Sequence, residues 1–144
     1  MKSVLLVLLA LASTALAPLL RADIVPGPKG GRLLDAPPHR AEFFVGADRR
    51  VEITFYDDAL QPVAHGGHQA KVIAELPGAR QTIELRETAH GFASTQPLPA
   101  GEPYRIVVQF RGGPQSRAVN HRIDLNLAHC GGCDRAEYAC TCEH

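Results

Sequence analysis

The chain has 144 residues, in which 15 Lys and Arg residues balance 15 Asp and Glu residues, so its formal net charge is zero at pH 7. A nucleic-acid-binding surface needs a basic face, and docking on an anionic membrane needs a cluster of Lys and Arg. The balanced charge therefore argues against both partners. Trp is absent, which removes one of the usual side chains of an aromatic ligand pocket.

The N-terminus has the three-part layout of a secretory signal peptide. The basic Lys2 is followed by an apolar run, Val4 to Ala12, and then by small residues at Ala15 and Ala17, the usual pattern before a cleavage site. A membrane-spanning helix needs ~20 apolar residues, so this run is too short to stay in the bilayer. We expect residues 1–17 to be removed, no membrane insertion of the product, and a periplasmic or secreted protein.

Two regions follow the predicted cleavage site. Residues 18–31 are predicted to form a flexible lead, because its second half is rich in Pro and Gly, which are poor material for a helix or a strand. Across residues 32–127, short apolar segments with alternating polar residues are separated by turn residues, as expected of half-buried strands. The predicted strands lie at Ala41–Val45, Val51–Tyr56, Lys71–Leu76, Ile83–Arg86, Gly91–Ser94, Tyr104–Phe110 and Val119–Leu127.

The spacing of these strands indicates the fold class. Seven or eight short strands without a convincing amphipathic helix between them predict an all-β fold, an immunoglobulin-like antiparallel sandwich of two sheets over residues 32–127. A small closed barrel is the competing architecture. The Leu-Pro-Ala-Gly turn at residues 98–101, which leads into an apolar strand beginning at Tyr104, resembles the strand entry of many bacterial immunoglobulin-like exported domains.

All four cysteines lie in a C-terminal tail, residues 128–144, which we expect to be irregular. They are Cys130, Cys133, Cys140 and Cys142. A Cys-x2-Cys pair lets two thiolates reach one ion, and the glycines between them let the backbone fold around it. Together with the Cys-x-Cys pair, this spacing predicts a metal site of four thiolates suited to Zn²⁺ or Cu(I). His129 and His144 flank the cluster and are additional candidate ligands.

Two other states of the four thiols stay open. Exported thiols are usually oxidised, and an even number of cysteines allows two disulfides. Pairing across the two halves of the cluster is easier than within Cys140-Thr141-Cys142, which would be strained. The chain would then be a non-enzymatic structural or interaction domain with a stapled tail. A redox-active Cys-x2-Cys pair is the third state, although such pairs usually begin a helix that follows a strand.

A second candidate metal site is His65-Gly66-Gly67-His68. Two imidazoles that flank a flexible pair can bind Cu(II), Ni(II) or Zn²⁺. The alternative is that both histidines are solvated loop residues, because spacing alone does not fix a geometry.

Catalytic motifs are missing from the sequence. There is no Gly-x-Ser-x-Gly elbow, no His-Glu-x-x-His pair and no phosphate-binding loop, and nothing specifies an acid and base pair. We therefore expect a binding protein rather than an enzyme.

Several segments resemble a group of small exported bacterial β-sandwich proteins that end in a Cys-x2-Cys and Glu-Tyr-Ala-Cys-x-Cys tail. They are residues 27–34 (Gly-Pro-Lys-Gly-Gly-Arg-Leu-Leu), 41–45 (Ala-Glu-Phe-Phe-Val), 50–56 and 137–144 (Glu-Tyr-Ala-Cys-Thr-Cys-Glu-His). The Gly-rich lead also resembles segments of periplasmic proteins in heavy-metal efflux systems. The resemblance implies metal handling, with an envelope efflux component as a partner. We expect an exported Zn²⁺- or Cu(I)-binding protein that is accessory to envelope metal homeostasis.

Overall fold

The computed structural model describes residues 23–142, so the predicted signal peptide and His144 lie outside the described residues. This part of the chain forms ten strands and one short 3₁₀ helix. They are β1 (Val25–Pro26), β2 (Arg32–Ala36), β3 (His39–Val45), β4 (Val51–Tyr56), β5 (Gln69–Leu76), β6 (Ala79–Ile83), β7 (Leu85–Thr88), β8 (Gly91–Ser94), β9 (Tyr104–Arg111), β10 (Val119–Leu125) and the 3₁₀ helix Glu137–Ala139. Within residues 23–142 there is no helix with the length and apolar character needed to cross a membrane.

The strands form two antiparallel sheets. The large sheet has the order β1-β2-β3-β4-β8-β7, and the small sheet has the order β10-β9-β5-β6. Apolar residues face one another across the central pairs, as Phe43 lies opposite Ile53 in the large sheet and Val72 lies opposite Val108 in the small one. Because side chains alternate between the two faces of a strand, this register directs the apolar positions of each sheet to one side.

A single core lies between the sheets. The buried residues at its centre are Phe43, Ile53 and Phe55 from the large sheet and Val72, Ile106, Val108, Phe110 and Ile123 from the small sheet. The rings of Phe55 and Phe110 meet edge to face across the sheets, with centroids 5.8 Å apart. Burial of each such side chain contributes roughly 1.5–3 kcal/mol relative to exposure. The predicted all-β architecture with two antiparallel sheets is therefore confirmed.

The number of strands differs from the prediction, since nine strands, β2 to β10, lie within residues 32–127, where seven or eight were expected. The segment around residue 84 explains part of the difference. Ile83 pairs with Val72 in the small sheet, whereas Leu85 pairs with Ser94 in the large sheet. The chain thus changes sheets at Glu84, whose carbonyl oxygen accepts a hydrogen bond from the Thr95 N–H at 3.0 Å. One alternating run in the sequence is therefore two strands in the structure.

The described part of the predicted flexible lead has a defined hydrogen-bonding pattern. Val25 and Pro26 pair with Leu33 and Arg32 of β2, and the Gly27 N–H bonds the Gly31 carbonyl oxygen at 3.0 Å. A two-residue strand and a tight turn therefore extend the large sheet at its edge.

This turn encloses the carboxylate of Glu42, which is completely buried in β3. The carboxylate accepts hydrogen bonds from the backbone N–H groups of Lys29 at 2.9 and 3.1 Å and of Gly31 at 2.8 Å, and from the Tyr56 hydroxyl at 3.0 Å. A Cβ on Gly27 would overlap with the Glu42 side chain. The turn therefore uses glycine because the backbone must approach the carboxylate closely.

Candidate metal centre

The loop that follows β10 brings its two ends back together. Asn126 holds both ends, because its side-chain Oδ1 accepts the Ala128 N–H at 3.0 Å and its carbonyl oxygen accepts the Tyr138 N–H at 3.1 Å. Inside the loop, the Cys130 N–H bonds the Arg135 carbonyl oxygen at 2.8 Å. The chain therefore returns to where it left the sheet, and the second cysteine pair lies beside the first.

Tyr138 fastens the returning chain to the core. Its side chain is buried, its ring meets Phe43 edge to face with centroids 5.9 Å apart, and its hydroxyl oxygen accepts the Val45 N–H at 3.0 Å. Burial raises the pKa of Tyr138 to about 12. Ala139 beside it is completely buried. The sequence predicts an irregular tail, but the described part of that segment contains a 3₁₀ helix and packs into the core.

The cysteine centre consists of the four sulfur atoms of Cys130, Cys133, Cys140 and Cys142, which all lie within 4.8 Å of one another. The Sγ of Cys130 is 3.9 Å from that of Cys142, and the Sγ of Cys133 is 3.7 Å from that of Cys140. In a tetrahedral site with Zn–S bonds of ~2.3 Å, the sulfur atoms are about 3.8 Å apart. Both distances therefore match the edge of such a tetrahedron.

Backbone N–H groups also point at two of the sulfur atoms. The Gly132 N–H lies 3.4 Å from the Cys130 Sγ, and the Cys142 N–H lies 3.3 Å from the Cys140 Sγ. Such contacts stabilise a thiolate, the form in which cysteine binds a metal. A Cβ on Gly132 would lie 3.0 Å from the Cys142 Sγ, whereas a Cβ on Gly131 would meet no atom within 4 Å. Of the two adjacent glycines, the centre therefore requires only the second for space.

The thiols of Cys130 and Cys140 influence each other, since their sulfur atoms are 2.9 Å apart. A hydrogen bond from Cys140, aided by the Gly132 N–H, lowers the pKa of Cys130 to about 6. The same contact raises the pKa of Cys140 to about 12. The two thiols therefore share one proton, and loss of the first proton from the pair opposes loss of the second.

Burial divides the centre into two halves. Cys130 and Cys140 are 0 % and 6 % exposed, respectively, whereas Cys133 and Cys142 are only half-buried. Each Cys pair therefore contributes one sulfur atom to the inner side and one to the outer side. No disulfide joins cysteines in the described part of the chain, so the predicted pair of disulfides is not formed in this structure.

Three of the histidines proposed as additional ligands, His129, His65 and His68, are not part of this group, and His144 lies outside the described residues. His129 is exposed and pairs through its backbone with Ala136. His68 is buried, and its ring nitrogens lie 2.6 Å from the His65 carbonyl oxygen and 3.0 Å from the Pro37 carbonyl oxygen. His65 lies over Phe92, with ring centroids 5.2 Å apart. Both nitrogens of His68 thus face acceptors from the protein itself.

Two residues that position the cysteines were missed by the sequence analysis, Asn126 and Tyr138, which hold the loop. The sequence did indicate a role for the glycines, of which Gly132 makes room for Cys142. Only the Gly-Gly dipeptide carries a visible signal, because glycine between paired cysteines permits close backbone approach. The roles of Asn126 and Tyr138 depend on contacts with distant strands.

Comparison of the chain with protein-family models, with curated protein sequences and with solved structures gave no match. The cysteine centre is therefore interpreted from its own geometry. It is the one group of three or more His, Cys, Asp and Glu ligand atoms within residues 23–142 that can hold a metal ion.

Proposed function

We propose that this chain is an exported metal-binding protein whose cysteine centre holds one Zn²⁺ ion. The observation that carries the proposal is the convergence of four sulfur atoms within 4.8 Å of one another. Four thiols that lie so close cannot all ionise without a cation between them, because like charges at this separation repel strongly. A divalent ion with four thiolate ligands resolves that repulsion.

The geometry favours Zn²⁺ over Cu(I). Four thiolates in a tetrahedron are characteristic of Zn²⁺ or iron–sulfur sites, and the distances of 3.7 and 3.9 Å fit such a tetrahedron. The inner pair, Cys130 and Cys140, must separate by about 0.9 Å from its distance of 2.9 Å to reach the same edge length. Because both cysteines lie in a loop held at its ends, this adjustment does not disturb either sheet.

The bound ion would fasten the C-terminal residues to the sandwich. Cys140 follows directly after the buried Tyr138 and Ala139, so an ion held between Cys130 and Cys140 holds that segment against the core.

Export and a role accessory to envelope metal homeostasis, with an efflux component as a partner, rest on the N-terminal signal pattern and on the resemblance described above. Detection of the cleaved chain in a periplasmic extract tests the first of these, and the full-length chain in the cytoplasm would contradict it.

The second candidate is a structural or interaction domain stapled by disulfides. One observation favours it, since the 2.9 Å between the Cys130 and Cys140 sulfur atoms is shorter than the usual contact of unbonded sulfurs. In this state Cys130 pairs with Cys140, and Cys133 pairs with Cys142. The two candidates differ in the oxidation state of all four thiols, so they can be separated by mass.

We also propose that the sandwich is immunoglobulin-like. The strand orders β3-β4-β8-β7 and β5-β9-β10 correspond in chain order to the A-B-E-D and C-F-G sheets of that fold. Tyr104, at the start of β9, donates its hydroxyl hydrogen to the Pro99 carbonyl oxygen at 2.7 Å, as in the tyrosine corner of strand F. An experimental structure with another strand order would refute this assignment.

Mass spectrometry of the mature protein under native and denaturing conditions tests the proposed function. The proposal predicts four alkylatable thiols in the denatured protein and a native mass that is heavier by one zinc ion. A Cys140→Ser/Cys142→Ser variant is predicted to lose the ion, whereas a His65→Ala/His68→Ala variant keeps it. A mass lower by four hydrogens, with no ion bound, would instead establish the disulfide-stapled domain.

A further inference from the structure

We propose that the cysteine centre is redox-sensitive and releases its ion when a small disulfide oxidises Cys133 and Cys140. The inference rests on the proposed function, because there must be an ion to release. It adds the class of reactant that empties the centre, a low-molecular-weight disulfide, and the order in which the thiols react.

The division of burial decides where the reaction begins. Thiol–disulfide exchange requires the attacking sulfur to reach the disulfide. Cys130 and Cys140 are buried, so the reaction must begin at one of the two half-buried cysteines. The loop backbone at Gly132 approaches the Cys142 Sγ closely, since a Cβ at that glycine would lie 3.0 Å from this sulfur atom. Cys133 is therefore the favoured first reactant.

The distances decide where the reaction continues. The Sγ of Cys140 is 3.7 Å from that of Cys133, so a mixed disulfide at Cys133 has a second thiolate beside it. The six residues between them form a loop whose ends already meet in the folded chain, because this distance joins the two cysteines that flank it. A bond from Cys133 to Cys140 therefore needs a local sulfur movement rather than refolding.

Two exchange steps account for all atoms and electrons. In the first, the Cys133 thiolate attacks one sulfur of the external disulfide; a new S–S bond forms, the original one breaks, and one thiolate leaves with the electron pair. In the second, the Cys140 thiolate attacks the Cys133 sulfur, and the second external thiolate leaves. The two cysteines lose two electrons, the external disulfide gains them, and the charge of the zinc ion does not change.

The product has too few ligands to retain the ion. After oxidation, only Cys130 and Cys142 remain as thiolates, with sulfur atoms 3.9 Å apart before the reaction. Structural zinc sites use four protein ligands, so loss of two opens the site to water and to competing chelators. The centre is thus closed under reducing conditions and open after contact with a disulfide.

The test uses reduced, zinc-loaded mature protein and oxidised glutathione, with a chromogenic chelator to record zinc release. Samples are quenched with acid, alkylated and digested with trypsin, which cuts after Arg135 and so separates the two cysteine pairs. The proposal predicts that glutathione first adds to Cys133, that a Cys133–Cys140 disulfide follows, and that zinc appears with the disulfide. A first adduct on Cys142, a disulfide between Cys130 and Cys133, or retention of zinc in the oxidised protein would overturn it.

Single substitutions sharpen the result. Cys140→Ser is predicted to accumulate the mixed disulfide at Cys133, because the second step is lost. Cys133→Ser should slow oxidation by at least about tenfold relative to Cys142→Ser, its matched control, since the buried thiols are reached last. Equal rates in these two variants would overturn the assigned order. Absence of zinc in the reduced wild-type protein, before any disulfide is added, would instead refute the proposed function.

Discussion

Two Gly-containing segments of this molecule bring backbone N–H groups to acidic side chains. They differ in how much of the negative charge on those side chains the hydrogen bonds offset. The Glu42 carboxylate accepts hydrogen bonds from two backbone N–H groups of the turn at residues 27–31 and from the Tyr56 hydroxyl of β4. The loop at residues 130–133 directs the Gly132 N–H at the Cys130 sulfur, and the four sulfur atoms lie against one another. The first site is complete without an ion, because its donors come from the protein.

This comparison indicates what an ion would contribute. A single buried carboxylate is stabilised by several N–H and O–H donors. Four thiolates within 4.8 Å of one another concentrate far more negative charge than two backbone N–H groups can offset. The N-terminal site therefore behaves as a fixed structural element, whereas the stability of the C-terminal site depends on the metal and on the redox conditions.

Removal of the metal is expected to have the largest effect. At a free zinc concentration of 1,000 times the dissociation constant, binding stabilises the fold by about 4 kcal/mol, and a strong chelator should abolish that contribution. The measurement is the midpoint of urea unfolding, with and without chelator, under reducing conditions. The Cys140→Ser/Cys142→Ser variant serves as the control and should not respond to chelator. Equal stability of the loaded and chelated wild-type protein would contradict a fastening role for the ion.

Substitution of Glu42 tests the other side of the comparison. Glu42→Gln replaces one acceptor oxygen of the carboxylate by an amide NH₂ group, which then faces N–H donors instead of accepting their hydrogen bonds. We therefore expect the free energy of unfolding to fall by about 2 kcal/mol. Glu52→Gln is the matched control, because Glu52 is half-exposed and pairs with Lys29 Nζ at the surface, where an ion pair contributes at most ~1 kcal/mol. Neither substitution should change zinc affinity. Reduced zinc binding in Glu42→Gln would show that the two sites are coupled.

The two adjacent glycines of the loop provide a smaller and more local test. Gly132→Ala places a methyl group 3.0 Å from the Cys142 Sγ, and overpacking of this kind costs about 1–3 kcal/mol. Zinc affinity should fall by about tenfold or more, since that cost applies to the loaded geometry. Gly131→Ala introduces a methyl group into open space and should leave the affinity unchanged. Competition against a chelator of known affinity measures both variants.

Alkaline titration compares the two regions through their tyrosines. Burial is the largest cause that raises the pKa of Tyr56 to about 12, and the negative charge of Glu42 is the next. Burial also raises the pKa of Tyr138 to about 12. In the unfolded chain tyrosine titrates near pH ~10, so the stability contributed by the protonated phenols is complete below that pH and is lost as the pH rises through about 12.

The chain contains three tyrosines and no Trp, so phenolate absorbance reports these groups without interference. In the loaded protein, phenolate should appear together with the loss of the β-sheet circular dichroism signal. In chelated protein, one phenolate should appear at lower pH than the others, because Tyr138 is then less firmly held. Identical curves with and without metal would argue against a link between the ion and Tyr138.

Much of the sandwich could be predicted from sequence because its strands alternate. Tyr104–Phe110 and Val51–Tyr56 carry their apolar residues at every second position, which is the signal of a half-buried strand. The change of sheet at Glu84 could not be predicted, since Ile83 and Leu85 continue the same alternation although they pair with different sheets. The corner becomes visible only in the tertiary structure, where Thr95 donates hydrogen bonds to the carbonyl oxygen and to the carboxylate of Glu84.

The cysteine centre shows the same limit. The spacing of Cys130, Cys133, Cys140 and Cys142 predicted that they converge, and the structure brings their sulfur atoms together. The anchoring of Tyr138 on Phe43 could not be predicted, because the two residues are far apart in sequence and meet only after the sheets have formed. The turn around Glu42 was missed for a similar reason, as Pro and Gly in that segment indicate flexibility until their partner is known.

X-ray absorption at the zinc edge of the reduced, loaded protein tests the central claim most directly. We predict one zinc ion per chain with four sulfur neighbours at about 2.3 Å and no nitrogen or oxygen neighbour. A spectrum with fewer sulfur neighbours and with imidazole or water in the first shell would contradict a four-thiolate centre. Such a spectrum would move the site to the histidines or to the surface of the protein.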